Sequence, residues 1–203
     1  AACDTKGALA VQMLAAAAAR RAGRRQAGDV YVTAVVLEER GGWGSAHLVT
    51  NLKTDYAILG EATSTELRAG HRGRIELRVT FKGHSAHASA PARGLNPHYS
   101  AACFLGRLRE LTMLSDSVFG RSTVAPTLIS TDQTSPNVTP GEVRLTLDWR
   151  NVPAETAEQV RLKVQKMGDS CLEAGVSASV DIPQATRRTY TGLEEAQALI
   201  QLG

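Results

Sequence analysis

Three segments of the chain alternate strictly between apolar and polar residues, and this alternation constrains the fold more than any other feature. The segments are Arg74–Phe81, Val143–Arg150 and Val176–Ile182. Side chains along a strand point alternately to the two faces of a sheet, so a period of two predicts strands. An apolar face opposite a polar face is typical of an antiparallel sheet with one side in water.

Two segments between these strands have the helical period instead. One follows Asn96-Pro97, and the other runs from about residue 155 to 174, where Gly175 is the predicted stop. A further strand is predicted at Ser122–Ser130. The resulting order is βαββαβ, the split ferredoxin-like arrangement, and it predicts a self-contained α+β domain.

A different kind of strand is predicted nearer the beginning of the chain. Val30–Leu37 is a nearly continuous apolar run, and Tyr56–Leu59 is a shorter one. Such runs are typical of strands buried on both faces of a parallel sheet. Helices are predicted from Gly7 to Ala22 and from about Ser45 to Leu52. Strand, helix and strand in this order indicate an α/β domain.

The change of strand type predicts the domain boundaries. Residues 1–69 are assigned to part of the α/β domain, residues 70–184 to the inserted α+β domain, and residues 185–203 to a return into the α/β domain. The sequence opens on Ala1 without an initiator Met and stops inside another predicted helix. Both ends are therefore expected to lie inside a longer protein.

Composition and charge exclude several classes of function. The 203 residues are 43% hydrophobic and 21% charged, as in ordinary globular proteins. The formal net charge of +3 is too small to predict nucleic-acid binding. The sequence contains no apolar run of about 18 residues, so no membrane span is predicted. The three cysteines are far apart and form no CxxC pair, which favours a reducing, cytoplasmic location.

Acidic residues stand where the predicted parallel strands end. Glu38 and Glu39 follow the first apolar run, Glu61 follows the second, and Asp4 precedes the first helix. Sites in open α/β sheets form beyond the carboxyl ends of the strands, so these acids are expected to converge. Converging carboxylates repel one another unless a cation binds them. Any one acid is more simply explained as a helix cap or a strand end, but the tandem pair favours one metal ligand beside one proton carrier.

The motifs around these acids resemble those of the M20 metallopeptidase family. They are Ala2-Cys-Asp-Thr-Lys-Gly7, Leu37-Glu-Glu-Arg-Gly-Gly-Trp-Gly44 and Leu59-Gly-Glu-Ala-Thr63. Later segments resemble the family's lid, or dimerisation, domain: Gly83-His-Ser-Ala-His87, Thr134-Ser-Pro-Asn137 and Leu147-Asp-Trp-Arg150. The family includes acetylornithine deacetylase, succinyl-diaminopimelate desuccinylase, aminoacylase and glutamate carboxypeptidase. The resemblance implies a zinc hydrolase with an α/β catalytic domain, present here in part, and an inserted lid domain.

The resemblance implies a role for each acid. Asp4 would bridge two zinc ions, for which Co or Mn are possible substitutes, and the Asp4–Thr5 peptide bond would be cis. Glu38 would be the general base. Glu39 would be a ligand of one zinc and Glu61 a ligand of the other. The implied reaction is hydrolysis of an amide bond by a zinc-activated water.

The lid residues are implied to complete the site across a homodimer. His87 would stabilise the oxyanion in the partner's active site, with Asn137 assisting it. Arg150 would bind the free carboxylate of an N-acyl amino acid or a small peptide. No residue identifies the acyl group.

The sequence also departs from the family. The family's zinc histidines, one in an upstream His-x-Asp motif and one near the carboxyl terminus, have no counterpart, because no histidine precedes His47 or follows His98. The chain alone is therefore expected to bind zinc weakly and to be inactive. The alternative is a catalytically silent protein of the same fold that serves dimerisation or ligand binding, although a purely structural role does not require Glu38.

Overall fold

The computed structural model describes residues 2–24, 27–39, 41–68, 70–186 and 189–190. The chain separates into two compact units, Ala1–Arg68 and Ala69–Gly203. The helix predicted at the end of the chain lies outside the described residues. Among those residues, no helix combines the length and the apolar character needed to cross a membrane.

Two helices dominate the first unit, and both were predicted. An irregular π-helical segment, Ala2–Lys6, leads into α1, Gly7–Arg21. Gly23 follows the end of α1 with a φ of +65°, a left-handed conformation that favours glycine. The second helix, α2, spans Trp43–Asn51.

The two strands predicted in this unit are wrong. Neither Val30–Leu37 nor Tyr56–Leu59 forms a strand, and their apolar side chains are exposed: Val36 is 69% exposed and Leu59 is 78% exposed. A parallel strand needs hydrogen-bonded neighbours and a cover on each face. The described residues of this unit include no strand with which the two runs could pair.

The second unit is built on a four-stranded sheet. Its strands are β1, Gly73–Lys82, β2, Thr123–Thr131, β3, Glu142–Asn151, and β4, Ser177–Thr186. Their order in the sheet is β2-β3-β1-β4, and every neighbouring pair is antiparallel. Strands were predicted at all four places.

The predicted alternation decides which side chains form the core of this sheet. The inward positions of β1 and β3 are almost completely buried: Ile75, Leu77, Val79, Phe81, Val143, Leu145, Leu147 and Trp149. The intervening side chains form the opposite face, where Arg78 and Arg144 are exposed, most others are partly covered and Thr80 is buried. A sheet whose strands alternate in this way therefore needs to be covered by other elements on its apolar face only.

That cover comes from two helices, α3, His98–Arg109, and α4, Ala157–Asp169, which pack against the sheet. Phe104 of α3 meets Phe81 edge to face, with ring centroids 5.7 Å apart. Thr156 begins α4 with a capping box, in which its side chain and that of Gln159 each bond to the other's backbone.

The predicted end of α4 is wrong by several residues. The helix ends at Asp169 with Ser170 as its C-cap, before the predicted stop at Gly175. Gly175 instead forms the turn before β4, with a φ of +83°.

Short two-residue pairs complete the second unit, and the sequence did not predict them. Gly70–His71 pairs with Thr189–Tyr190, and Ser115–Asp116 pairs with Gly120–Arg121. Ala86–His87 pairs with Val138–Thr139. A 3-10 turn spans Pro91–Arg93.

Candidate active site

Helix α1 brings the beginning of the chain beside the segment that contains Glu61. The Gln12 side chain donates a hydrogen bond to the Ile58 carbonyl at 3.3 Å. Gly60 lies so close to α1 that an added Cβ would be 2.6 Å from the Cβ of Ala8, so only glycine fits there. Because Asp4 precedes α1, this packing brings Asp4 and Glu61 into one region of the first unit.

A tight turn presents the tandem pair Glu38 and Glu39 in the same unit. Leu37, just before the pair, has a φ of +59°, an uncommon conformation for a residue with a side chain. The backbone N–H groups of Gly41 and Gly42 donate to the Glu38 carbonyl at 3.1 and 2.9 Å. These bonds fold the backbone back immediately after the pair, which leaves both acids exposed.

The charges of these acids act on Glu61. Partial burial, followed by the negative charges of Asp4, Glu38 and Glu39, raises the pKa of Glu61 above its ordinary value. Four carboxylates that the sequence placed at separate positions therefore lie within electrostatic reach of one another. An anionic cluster of this kind suits a divalent cation, which would offset the repulsion.

The cluster does not have the geometry of a metal site in this structure. Among the described residues, no three His, Cys, Asp or Glu side chains are close enough to hold one ion. The ligand roles of Asp4, Glu39 and Glu61 therefore stay predictions. One implied feature is confirmed, since the Asp4–Thr5 peptide bond is cis.

In the second unit, His87 and Asn137 are neighbours. His87 pairs with Val138, and the Asn137 carbonyl accepts a hydrogen bond from the backbone of Ala88 at 2.8 Å. The His87 Nδ1 lies 2.8 Å from the Ser89 hydroxyl. Both side chains are exposed, so they can reach a molecule outside this unit.

Arg150 lies on β3 in an ion-pair network. Its Nε donates to Asp148 at 2.6 Å, and Arg74 donates to the other oxygen of Asp148, also at 2.6 Å. Partial burial alone would raise the pKa of Asp148, but the hydrogen bonds and charges of Arg74 and Arg150 lower it. The carboxylate thus stays ionised and holds both guanidinium groups.

Arg150 is not close to His87 within one chain. Arg150 pairs with Arg74 at the beginning of β1, whereas the loop that carries His87 follows the end of β1 at Lys82. Arg74 and Lys82 lie eight positions apart along the strand, which corresponds to roughly 25 Å. One copy of this unit therefore offers His87 with Asn137 at one end of the sheet and Arg150 at the other.

Sequence reasoning missed three partners of these residues. Ser135, whose hydroxyl bonds to the Asn137 side chain, and Ser89 fix the two predicted residues locally, and nothing in their spacing indicated this. The contact between Asp148 and Arg150 could have been predicted, because residues i and i+2 of a strand lie next to each other on the same face.

Comparison with known proteins identifies the family. Residues 69–171, half of the chain, match the family model of the M20 peptidase dimerisation domain. The chain belongs to the M20 peptidase family.

Two curated relatives illustrate the match. A succinyl-diaminopimelate desuccinylase from Aliarcobacter butzleri is 29% identical over 134 residues, which cover 61% of this chain and 37% of that protein. An acetylornithine deacetylase from Vibrio parahaemolyticus is 39% identical over 74 residues, covering 36% of this chain and 20% of the relative. The chain thus spans about a third or less of the length of these relatives.

Solved structures share the fold. An aminobenzoyl-glutamate utilization protein from Klebsiella pneumoniae matches with a TM-score of 0.53 and 20% identity, over 68% of this chain and 36% of that one. A hydantoinase/carbamoylase family amidase from Burkholderia ambifaria matches with a TM-score of 0.54 and 15% identity, over 66% and 32%.

Proposed function

We propose that the protein is a dinuclear zinc amide hydrolase that cleaves an N-acyl amino acid or a small peptide. The observation that carries this proposal is the gathering of Asp4, Glu38 and Glu39 around Glu61, whose pKa is raised by partial burial and then by their charges. Membership of the M20 family, whose relatives include a desuccinylase and a deacetylase by name, supports the reaction class.

The acids divide the work. Asp4, Glu39 and Glu61 would hold two zinc ions, or Co or Mn, because carboxylate oxygens are common ligands of these metals. Bound zinc would polarise the amide carbonyl and lower the pKa of the attacking water. Glu38 takes the proton of that water and returns it to the leaving amine. Its place beside a ligand, on a turn that leaves it exposed, suits this role.

The second unit would act as a ferredoxin-like lid and dimerisation domain. The antiparallel order β2-β3-β1-β4 with two helices on one face supports this assignment. His87 and Asn137, adjacent and exposed, would donate hydrogen bonds to the oxyanion in the partner's site. Arg150 would bind the substrate carboxylate, for which its guanidinium must exchange a bond to Asp148.

The two edge strands of the sheet, β2 and β4, differ in a way that favours one of them as the dimer contact. Edge strand β2 exposes Leu128 (68%) and Ile129 (61%), and no strand among the described residues pairs with its outer side. Both edge strands contain a proline, Pro126 in β2 and Pro183 in β4, but only β4 contains a charged residue, Asp181, which discourages the addition of another strand. We therefore place the homodimer contact on β2.

Sedimentation velocity tests this contact. Leu128→Lys places a charge on the apolar edge and should weaken dimerisation at least tenfold, because a buried unpaired charge is costly. Ser179→Lys on β4 is the matched control and should leave the mass unchanged. If the two variants sedimented with the same mass, β2 would not be the dimer contact.

A catalytically silent dimerisation or ligand-binding protein is the second candidate. It is favoured by the finding that no three potential ligand side chains among the described residues are close enough to hold one ion. It predicts that the protein forms dimers without hydrolysing amides.

Substitution of the proposed base separates the two candidates. In the protein expressed from its own gene, Glu38→Gln should keep zinc, measured by isothermal titration calorimetry. It should lower kcat on N-acetyl and N-succinyl amino acids by about 10²–10⁴, the usual contribution of a general base. Glu66→Gln, on the surface of the same unit, is the control. Wild-type protein without activity would support the silent alternative, and an active Glu38→Gln variant would exclude Glu38 as the base.

A cytoplasmic location remains part of the proposal. It rests on the sequence, in which the three cysteines are far apart and form no CxxC pair.

A further inference from the structure

Two hydrogen bonds hold the segment after α4 against α3. The Ser100 hydroxyl accepts from the backbone N–H of Glu173 at 2.9 Å, and Arg107 Nη1 donates to the Ser170 hydroxyl at 2.7 Å. Ser100 and Arg107 are seven residues apart, which is two helical turns, so they lie on one face of α3. That face therefore runs alongside residues 170–173.

Each of the two segments carries a cysteine between these anchors. Cys103 lies three residues after Ser100 on the same face of α3, and Cys171 directly follows Ser170. Both thiols therefore lie in the contact between α3 and residues 170–173 that the two hydrogen bonds hold together. The sequence, in which they stand 68 positions apart (171 minus 103), predicted no such pair.

The two thiols differ in access. Cys103 is exposed, and Cys171 is buried in the core of the second unit. Burial and the neighbouring Cys103 raise the pKa of Cys171 to about 11, although the charge of Arg107 opposes this. Since the thiolate is the reactive form, Cys103 is the thiol that a reagent meets first.

We propose that Cys103 and Cys171 form a reversible intrachain disulfide, a redox site that links α3 to the end of α4. The proposal rests on the packing of these two segments and is independent of the proposed hydrolase function. In a reducing compartment the pair stays reduced, and a rise in oxidised low-molecular-weight thiols would close it.

The oxidant in this step is a small-molecule disulfide, such as oxidised glutathione. The Cys103 thiolate attacks one of its sulfurs, which forms a mixed disulfide and releases one thiolate. Cys171, after losing its proton to solvent, attacks the Cys103 sulfur and releases the second thiolate. The protein gives up two electrons and two protons, and the small disulfide is reduced to two thiols.

Intact-mass spectrometry with a non-reducing peptide map tests the proposal. The Cys3→Ser variant of the full chain, which removes the other exposed thiol, is incubated with oxidised glutathione. We expect it to lose about 2 Da and to yield a cross-linked peptide pair containing both cysteines. A reducing agent should reverse the change, and the oxidised form should melt at a higher temperature than the reduced form.

Two further variants in the Cys3→Ser background test which cysteine reacts first and which one resolves the mixed disulfide. With Cys171→Ser added, Cys103 should retain glutathione, a gain of about 305 Da, because nothing resolves the mixed disulfide. With Cys103→Ser added, the buried Cys171 should not react. The proposal is overturned if Cys3→Ser itself retains glutathione without a cross-link, or does not react. Those results come from a variant with an intact core, so they hold even if Cys171→Ser fails to fold.

Discussion

The two units of the chain place apolar residues in opposite surroundings. In the second unit, Phe81 is fully buried, whereas Ile58 in the first unit is 74% exposed. The alternating strands need a cover on one face, and α3 and α4 of the same unit supply it. The continuous runs need covers on both faces and a strand on each side, which the described residues of the first unit do not provide. Apolar content alone therefore does not make a core.

Truncation of one large side chain in each unit gives the largest expected contrast. Phe81→Ala should lower the free energy of unfolding by about 3–5 kcal/mol, since it removes a buried ring and its contact with Phe104. Ile58→Ala should change it by less than about 0.5 kcal/mol, because the side chain is already in water. Urea titration followed by circular dichroism measures both. A large loss in the free energy of unfolding on Ile58→Ala would show that the run Tyr56–Leu59 is buried in solution. The contrast between the two units would then be wrong.

Within the second unit, substitution of an exposed site residue should change activity without changing stability, in contrast to substitution of a core residue. If His87 has the proposed oxyanion role, His87→Ala in the protein expressed from its own gene should lower kcat on an N-acyl amino acid by about 10²–10³ with little change in KM. Its stability and sedimentation should not change, because His87 is exposed. His84→Ala, an exposed histidine in the same loop, is the matched control. A rise in KM with unchanged kcat would argue against the oxyanion role.

The smallest expected effect belongs to the acids of the first unit. Because the folded-state pKa of Glu61 is raised, its contribution to stability is complete at low pH and is lost as the pH rises through that pKa. Glu61→Gln should thus stabilise the first unit at neutral pH in the presence of a chelator, by less than about 0.5 kcal/mol after solvent screening. The difference from the wild type should vanish in acid.

Hydrogen exchange of peptides within residues 2–68 measures this effect separately from the second unit. Glu66→Gln, which loses only a surface ion pair with Arg68, should show no comparable pH dependence. Stabilisation by both substitutions would mean that the acids around Glu61 do not act as a cluster.

Local patterns were sufficient wherever the structure depends on neighbours in sequence. The alternation in Arg74–Phe81 predicted both the strand and its buried face, and Asn96-Pro97 predicted the beginning of α3, where the Asn96 side chain accepts from the His98 backbone at 3.1 Å. The same reasoning failed for Val30–Leu37, because a run that suits a doubly buried strand forms one only where partner strands are present.

The candidate site divides in the same way. Glu38, Glu39 and Glu61 were singled out by their positions after apolar runs, although those runs are not strands here. The approach of Asp4 to Glu61 comes from a tertiary contact, the fit of Gly60 against Ala8 of α1. The pairing of Arg150 with Asp148 was not predicted, although strand spacing could have indicated it, whereas nothing in the sequence indicated that Arg74 shares Asp148.

The sequence was sufficient to predict the four strands of the second unit, the buried faces of β1 and β3, its two helices and the family motifs, because each depends on residues a few positions apart. Tertiary structure alone decided the order of the strands, the separation of His87 from Arg150, and the meeting of Cys103 with Cys171. These features depend on which distant segments pack together, and packing is set by the shape and cover of whole surfaces rather than by local periodicity.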